Sequence, residues 1–267
     1  MNLNKLYNEQ LIRCNRHDLS EFVPFVIGTQ QYGFIRKKNA ELLSGLTKFF
    51  EYSSIGLALS DDFDTFGTRS AALNAAVIIL SKTYNKPLRN EMYPVLLAFN
   101  GDMAAEIDRC AIPFFGLLAF GVHVNGYVRK KDGLYVWIGK RAKNRQIEPG
   151  KLDNLIGGGL PIGLSVEENL YKEAKEEAGI SPEIAKKAVF IKNINYRFEL
   201  EEGIRNDSIF VYDLELDENF TPKNTDGEVE EFRLMPAKEV INFIEDNSSF
   251  KFNCSLIVAD FLLRHSA

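Results

Sequence analysis

The chain has 267 residues, 45% hydrophobic and 26% charged, which is enough apolar sequence for a core and excludes disordered and collagen-like classes. Against 37 acidic residues stand 32 basic ones, a formal net charge of −5, which argues against a dedicated nucleic-acid binder but leaves room for local basic sites. No apolar run reaches the length of a membrane span, no apolar stretch of a secretion signal follows Met1, and Cys14, Cys110 and Cys254 are too scattered for a disulfide framework or a zinc site; the expectation is a cytoplasmic protein.

In chain order, residues 1–112 read as an α+β domain and residues 113–267 as an α/β domain. Residues 22–27, Phe-Val-Pro-Phe-Val-Ile, suit a strand closed by Gly28. Residues 69–84, rich in Ala, Leu and Ile, suit a helix that stops near Pro87. Beyond Pro113, apolar runs at 122–128 and 134–139 flank Lys131-Asp132-Gly133, a hairpin signal. Further strands are expected at 189–200 and 209–216, and helices at 236–246 and 253–264.

The sharpest signal is LIGGGLPIGLSVEENLYKEAKEEAGI, residues 155–180. Gly157, Gly158 and Gly159 lead through Pro161 and Gly163 to Ser165, which with Glu168 makes a capping box. The helix that starts there should end at Gly179. Inside it, Glu173, Glu176 and Glu177 stand at spacings that put all three carboxylates on one face. Their repulsion is relieved by a divalent cation, and oxygen ligands suit Mg²⁺ or Mn²⁺ rather than zinc. A Glu-rich helix is more often a solvated face, with Lys172 and Lys175 in ordinary surface pairs. The glycines shift that balance, because they permit close backbone approach.

Two flanking clusters are candidates for the same chemistry. Lys140, Arg141, Lys143, Arg145 and Lys151 concentrate positive charge before the glycines, where it could face phosphates; Lys140 and Arg141 sit best, at a strand end. Glu228, Glu230 and Glu231 follow the Asp226-Gly227 turn, and a strand there would put Glu228 and Glu230 on one face with Glu231 turned away. His123 and Trp137 alternate with valines and isoleucine and read as structural. No local motif supports a Ser or Cys nucleophile.

The 155–180 segment resembles the signature of the Nudix hydrolases, G-x5-E-x7-R-E-U-x-E-E-x-G-U, with Gly158, Lys172, Glu173, Ala174, Glu176, Glu177, Gly179 and Ile180 in register. Lys172 stands where Arg is usual, and Leu164 replaces the first Glu. The resemblance implies an α/β/α sandwich with a mixed sheet and hydrolysis of a diphosphate linked to another moiety. It implies that Glu173, Glu176, Glu177 and the Gly158 carbonyl hold Mg²⁺. A catalytic role falls to Glu173 and Glu177, with Glu228 or Glu230 as the loop base. Lys140, Arg141, Lys151, Gly158 and Gly159 would bind substrate. Trp137 to Ala142, Pro149 to Asn154, 210–214 and 226–232 are similar to the Nudix part of fungal thiamine pyrophosphokinase fusions, whose members also carry an extra N-terminal domain. That branch implies thiamine diphosphate or its oxidised analogues, cut to the monophosphate. The rival readings are a hydrolase of nucleoside diphosphate derivatives, such as ADP-ribose or dinucleotides, and a non-catalytic Nudix-fold binding module. The expected partner is a small-molecule diphosphate, with no nucleic acid or membrane; a homodimer is compatible with this reading.

Overall fold

The structure is a computed structural model that describes residues 2–45 and 48–265. The N-terminal part comprises α1 (Leu3–Cys14), β1 (Phe22–Ile27), β2 (Gln30–Arg36), α2 (Lys37–Ser44), β3 (Phe50–Tyr52), β4 (Leu57–Leu59), α3 (Phe66–Thr83), β5 (Met92–Val95) and β6 (Ala105–Asp108). Thr65 and Thr68 form the capping box that starts α3. Ala72, Leu73, Ala76 and Leu80 of α3 pack on Phe25, Ile35 and Leu57 of a four-stranded sheet ordered β2-β1-β4-β3. Strands β5 and β6 form a separate antiparallel hairpin.

The rest of the chain comprises α4 (Ile112–Phe115), β7 (Leu118–Lys130), β8 (Gly133–Arg141), β9 (Leu152–Asp153), β10 (Ile156–Gly159), α5 (Val166–Ala178), α6 (Pro182–Ala185), β11 (Val189–Glu199), β12 (Ile204–Glu215), β13 (Val229–Pro236), α7 (Ala237–Glu245) and α8 (Phe252–Arg264). A mixed sheet runs β11-β12-β7-β8-β13, with β12 parallel to β7 and its other pairs antiparallel. One edge of β7 is shared between two partners: β10 takes residues 121–124 and β8 takes 127–130. The period of two along β7 sends Val122 and Val124 to one face, against Leu170, Ala174 and Ala178 of α5. It sends Tyr127 to the other face, against Phe261 of α8, where α1 and α7 also pack. The α/β/α sandwich with a mixed sheet expected from the sequence is the fold observed.

Two details depart from the sequence reading. The triple glycine is a strand rather than a loop, because ladder hydrogen bonds need only backbone and β7 supplies the partners. Helix α1 belongs with the C-terminal layer: Leu6 joins the core around Val258 and Leu262, and the Cys14 thiol donates to the Phe252 carbonyl at 3.1 Å. An amphipathic helix settles against whichever apolar face is left uncovered, and sequence position does not specify that face.

Candidate active site

Helix α5 starts at Ser165, whose hydroxyl accepts from the Glu168 amide while Glu168 reaches back to Ser165 N, and it ends on left-handed Gly179 (φ 63°). With both ends set, burial of Leu170, Ala174 and Ala178 decides its rotation about its own axis. That rotation turns a stripe of every fourth residue toward β10. Asn169 Nδ2 donates to the Gly159 carbonyl at 3.0 Å, and Glu177 Oε2 accepts from Gly157 N at 2.7 Å. Between them, a Cβ on Gly158 would lie 2.3 Å from the Glu173 carboxyl carbon. Glycine is required there because the carboxylate occupies the space of a side chain.

Glu173 and Glu177 are buried, whereas the side chain of Glu176 is 44% exposed. The Lys172 ammonium spans Glu173 Oε1 at 3.0 Å and Glu176 Oε2 at 3.1 Å. Burial raises the Glu173 carboxyl even though Lys172 pulls it down. Burial, followed by the charges of Glu173 and Asp153, holds the Glu177 carboxyl well above the usual carboxylate range. Among the described residues Glu177 has no ion-pair partner. Oxygen-only donors on one helix, with Glu177 free of an ion pair, fit a hard divalent cation.

Glu228 is ion-paired with Arg145, and its charge adds a minor upward push to the carboxyls of Glu173 and Glu177. Glu230 goes elsewhere. A β-bulge between Val229 and Glu231 breaks the alternation, and Lys140 contacts both Glu230 (3.4 Å) and Glu231 (3.8 Å). The expectation that Glu231 points away from Glu230 is thereby corrected. The Lys151 ammonium is bonded to the Ser248 carbonyl, and Lys140 and Lys151 line a separate cleft with Arg233 and Ser249. Arg141 is also corrected as a substrate ligand. It is buried, its Nη1 donates to Asp153 Oδ2 at 2.6 Å, and its Nε and Nη2 donate to the Ile147 carbonyl, so all three nitrogens are anchored inside the protein. Leu164 is half-buried against the apolar cluster under α5.

On another face of β10 lies a cavity of about 80 Å³, walled by Gly157, Gly158, Gly159, His123 and residues the sequence did not single out: Tyr93, Arg109, Arg205 and Asp207. A Cβ on Gly159 would fall 3.2 Å from Arg109 Nη2 and against the Tyr93 hydroxyl. Glu91 holds Arg109 at 2.7 Å. Burial works against the Arg109 charge, but Tyr93, Glu91 and Glu173 outweigh it and keep the guanidinium firmly protonated. Arg89 is partly destabilised as a cation, first by burial and then by Arg109 and Arg145, and among the described residues it has no ion pair. Local sequence gave no signal for this wall, because β5 and β6 reach it from far along the chain. His123 is neutral: burial, then Lys251, lowers it to about 4, and its Nδ1 lies 2.9 Å from Asn154 Oδ1. It clusters with Asp153 and Cys254, but Arg141 and the Cys254 thiol already occupy the Asp153 oxygens.

A family model described as NUDIX domain matches residues 119–254, which contain the glycine strand, α5 and the mixed sheet. The chain belongs to the Nudix hydrolase family. Residues 6–119 match a second model, described as a domain of unknown function, DUF4743. Nudix hydrolase 24, chloroplastic, of Arabidopsis thaliana is 42% identical over 262 residues, covering 96% of this chain and 72% of the relative. Nudix hydrolase 20, chloroplastic, of the same plant is 42% identical over 270 residues, with the same coverage of each. A Saccharomyces cerevisiae protein called uncharacterized is 34% identical over 194 residues, covering 67% of this chain and 56% of that one. The two plant names place those relatives in the chloroplast and give no support to a cytoplasmic location here. In this Nudix hydrolase no helix among the described residues is long and apolar enough to cross a membrane.

Proposed function

We propose that this Nudix hydrolase cleaves the phosphoric anhydride of a small-molecule diphosphate with Mg²⁺ or Mn²⁺ held by Glu173, Glu176 and Glu177. The observation that carries this is the set of charged groups gathered along one glycine strand. Glu173, held by Lys172, faces Gly158 beside Glu177, which has no ion-pair partner among the described residues, while Arg109, held by Glu91, faces Gly159. When bound, the metal neutralises phosphate charge and makes its water easier to deprotonate. Glu173 and Glu177 are pre-positioned by Gly158 and Gly157, so little reorganisation is needed as charge develops. Glu228, half-exposed and held by Arg145, takes the proton of the attacking water. Arg109 and Arg89 hold the phosphate oxygens in place of Lys140, Arg141 and Lys151. The kept carboxylate triad favours catalysis over a binding module, despite Leu164.

For the organic part we keep thiamine diphosphate or its oxidised analogues, on the motif resemblance of residues 137–142, 149–154, 210–214 and 226–232. ADP-ribose and dinucleotides are the competing substrates. The three cysteines are free thiols, which suits the reducing cytoplasm proposed as the setting.

The test is phosphate release from thiamine diphosphate, its oxidised analogues, ADP-ribose (with added phosphatase) and nucleoside triphosphates (with added inorganic pyrophosphatase), with Mg²⁺ and with chelator. The expected result is metal-dependent cleavage, strongest for the thiamine compounds. Folded protein that cleaves none of them in Mg²⁺ would overturn the proposal, and preference for ADP-ribose would reassign the organic group.

A further inference from the structure

The cavity beyond the glycine strand is lined by two buried polar atoms that have no hydrogen-bond partner among the described residues. Tyr93 is 3% exposed, and its hydroxyl has no hydrogen-bond partner among the described residues. Asp207 is 6% exposed; its Oδ2 accepts from the Tyr196 hydroxyl at 2.6 Å and from Arg205 at 3.2 Å, but its Oδ1 has no partner among the described residues. Both residues line the same cavity. Desolvated acceptors are costly when unpaired, and folded proteins keep few of them away from ligands or water.

The shape of the space limits what completes them. A water needs roughly 10–15 Å³, so about 80 Å³ matches about six waters, the size of one substituted six-membered ring. The walls suit a ring: Phe120, Ile112 and Pro113 are apolar, and Tyr93 and Tyr196 are aromatic. Arg109 lies against Gly159, the neighbour of the Gly158 that Glu173 faces, so an anhydride belongs there. Asp207 projects from β12, across β7 from the glycine strand, and offers an acceptor already neutralised by Arg205, so a neutral N–H donor completes it better than another cation.

We infer that this cavity is the subsite for the organic group of the diphosphate, and that Asp207 Oδ1 accepts a hydrogen bond from an amino or ring N–H of a nitrogen heterocycle seated against Tyr93. The inference rests on the proposed diphosphate chemistry for its orientation and deepens it by giving the substrate class. It also gives the N-terminal domain a role, since Tyr93 of β5 and Arg109 beside β6 close the subsite. A ligand that presents only acceptors would leave Oδ1 facing a second oxygen and be rejected.

The test is calorimetric titration of the full chain without metal, using thiamine diphosphate and ADP-ribose, each against its analogue with hydrogen in place of the heterocycle amino group, and inorganic pyrophosphate. In at least one pair the amino compound should bind tenfold or more tightly than its partner. Asp207→Asn should erase that difference by weakening the amino compound alone and leave pyrophosphate unchanged. In hydrolysis it should raise KM tenfold with kcat within about twofold. Tyr93→Phe, a one-atom change, should weaken the organic ligands and spare pyrophosphate, and it keeps a protein variant available if Asp207→Asn misfolds. Wild-type protein that discriminates in neither pair overturns the subsite, even if it hydrolyses both members. Discrimination without hydrolysis would sink the diphosphate hydrolase reading and leave the subsite standing.

Discussion

Gly158 and Glu173 occupy one site between them: the carboxyl carbon of Glu173 lies 2.3 Å from where a Cβ on Gly158 would be. Gly158→Ala must therefore push Glu173 aside. Turnover should fall at least tenfold, roughly 1.4 kcal/mol in barrier, and the Mg²⁺ concentration for half-activity should rise. An unchanged Mg²⁺ titration in the alanine variant would show that Glu173 is not a metal ligand.

Glu177 pits stability against activity. Its carboxyl is raised in the folded protein, so its stabilising contribution is full below the ordinary carboxylate pKa and is lost as pH rises through the raised folded value. At pH 7.5 without metal, Glu177→Gln should melt above wild type, by about 2–4 °C for each kcal/mol of relief. Added Mg²⁺ should narrow the gap by stabilising the wild type, and the variant should be nearly inactive. Calorimetry with and without chelator measures both effects.

Burial separates the three helix carboxylates. Glu173→Gln, at a buried position, should cost tenfold or more in kcat, whereas Glu176→Gln, on the exposed flank, should cost less. Chelator should abolish wild-type turnover. Activity that survives chelation refutes the metal mechanism, and a larger loss at Glu176 refutes the assignment by burial.

Arg141 should behave as a structural residue. Arg141→Leu leaves the buried Asp153 with Lys251, 3.8 Å away, as its cation among the described residues, and should destabilise by about 3 kcal/mol or more. Denaturant unfolding reads that loss, and KM of the fraction that stays folded should change little. A large KM effect at unchanged stability would restore Arg141 as a substrate ligand.

His123 makes stability depend on pH in the opposite sense to Glu177. Its folded value of about 4 lies below the ordinary 6.5, so its contribution is full above pH 6.5 and is lost as pH falls toward 4. The loss approaches about 3 kcal/mol at the acid end. His123→Gln should flatten the fall in melting temperature across that window relative to wild type. Parallel curves would mean that His123 is protonated in the fold.

What the sequence determined by itself was local. The Ser165–Glu168 box, the Gly179 cap, the strand at 22–27, the hairpin at 131–133 and the shared face of Glu173 and Glu177 all follow from contacts within a few residues, where spacing fixes geometry. Tertiary structure decided the partners. Arg141 and Lys140 looked equivalent as neighbours in a basic run, but strand alternation buried one against Asp153 and left the other at the edge with Glu230. The bulge after Val229 could not be read from alternation, because a single extra residue reverses which face follows. Tyr93, Arg109 and Asp207 carried no motif at all. They meet only because the β5–β6 hairpin closes over β10 and β12 runs parallel beside β7, and such long-range placement is set by which apolar faces and sheet edges remain to be covered.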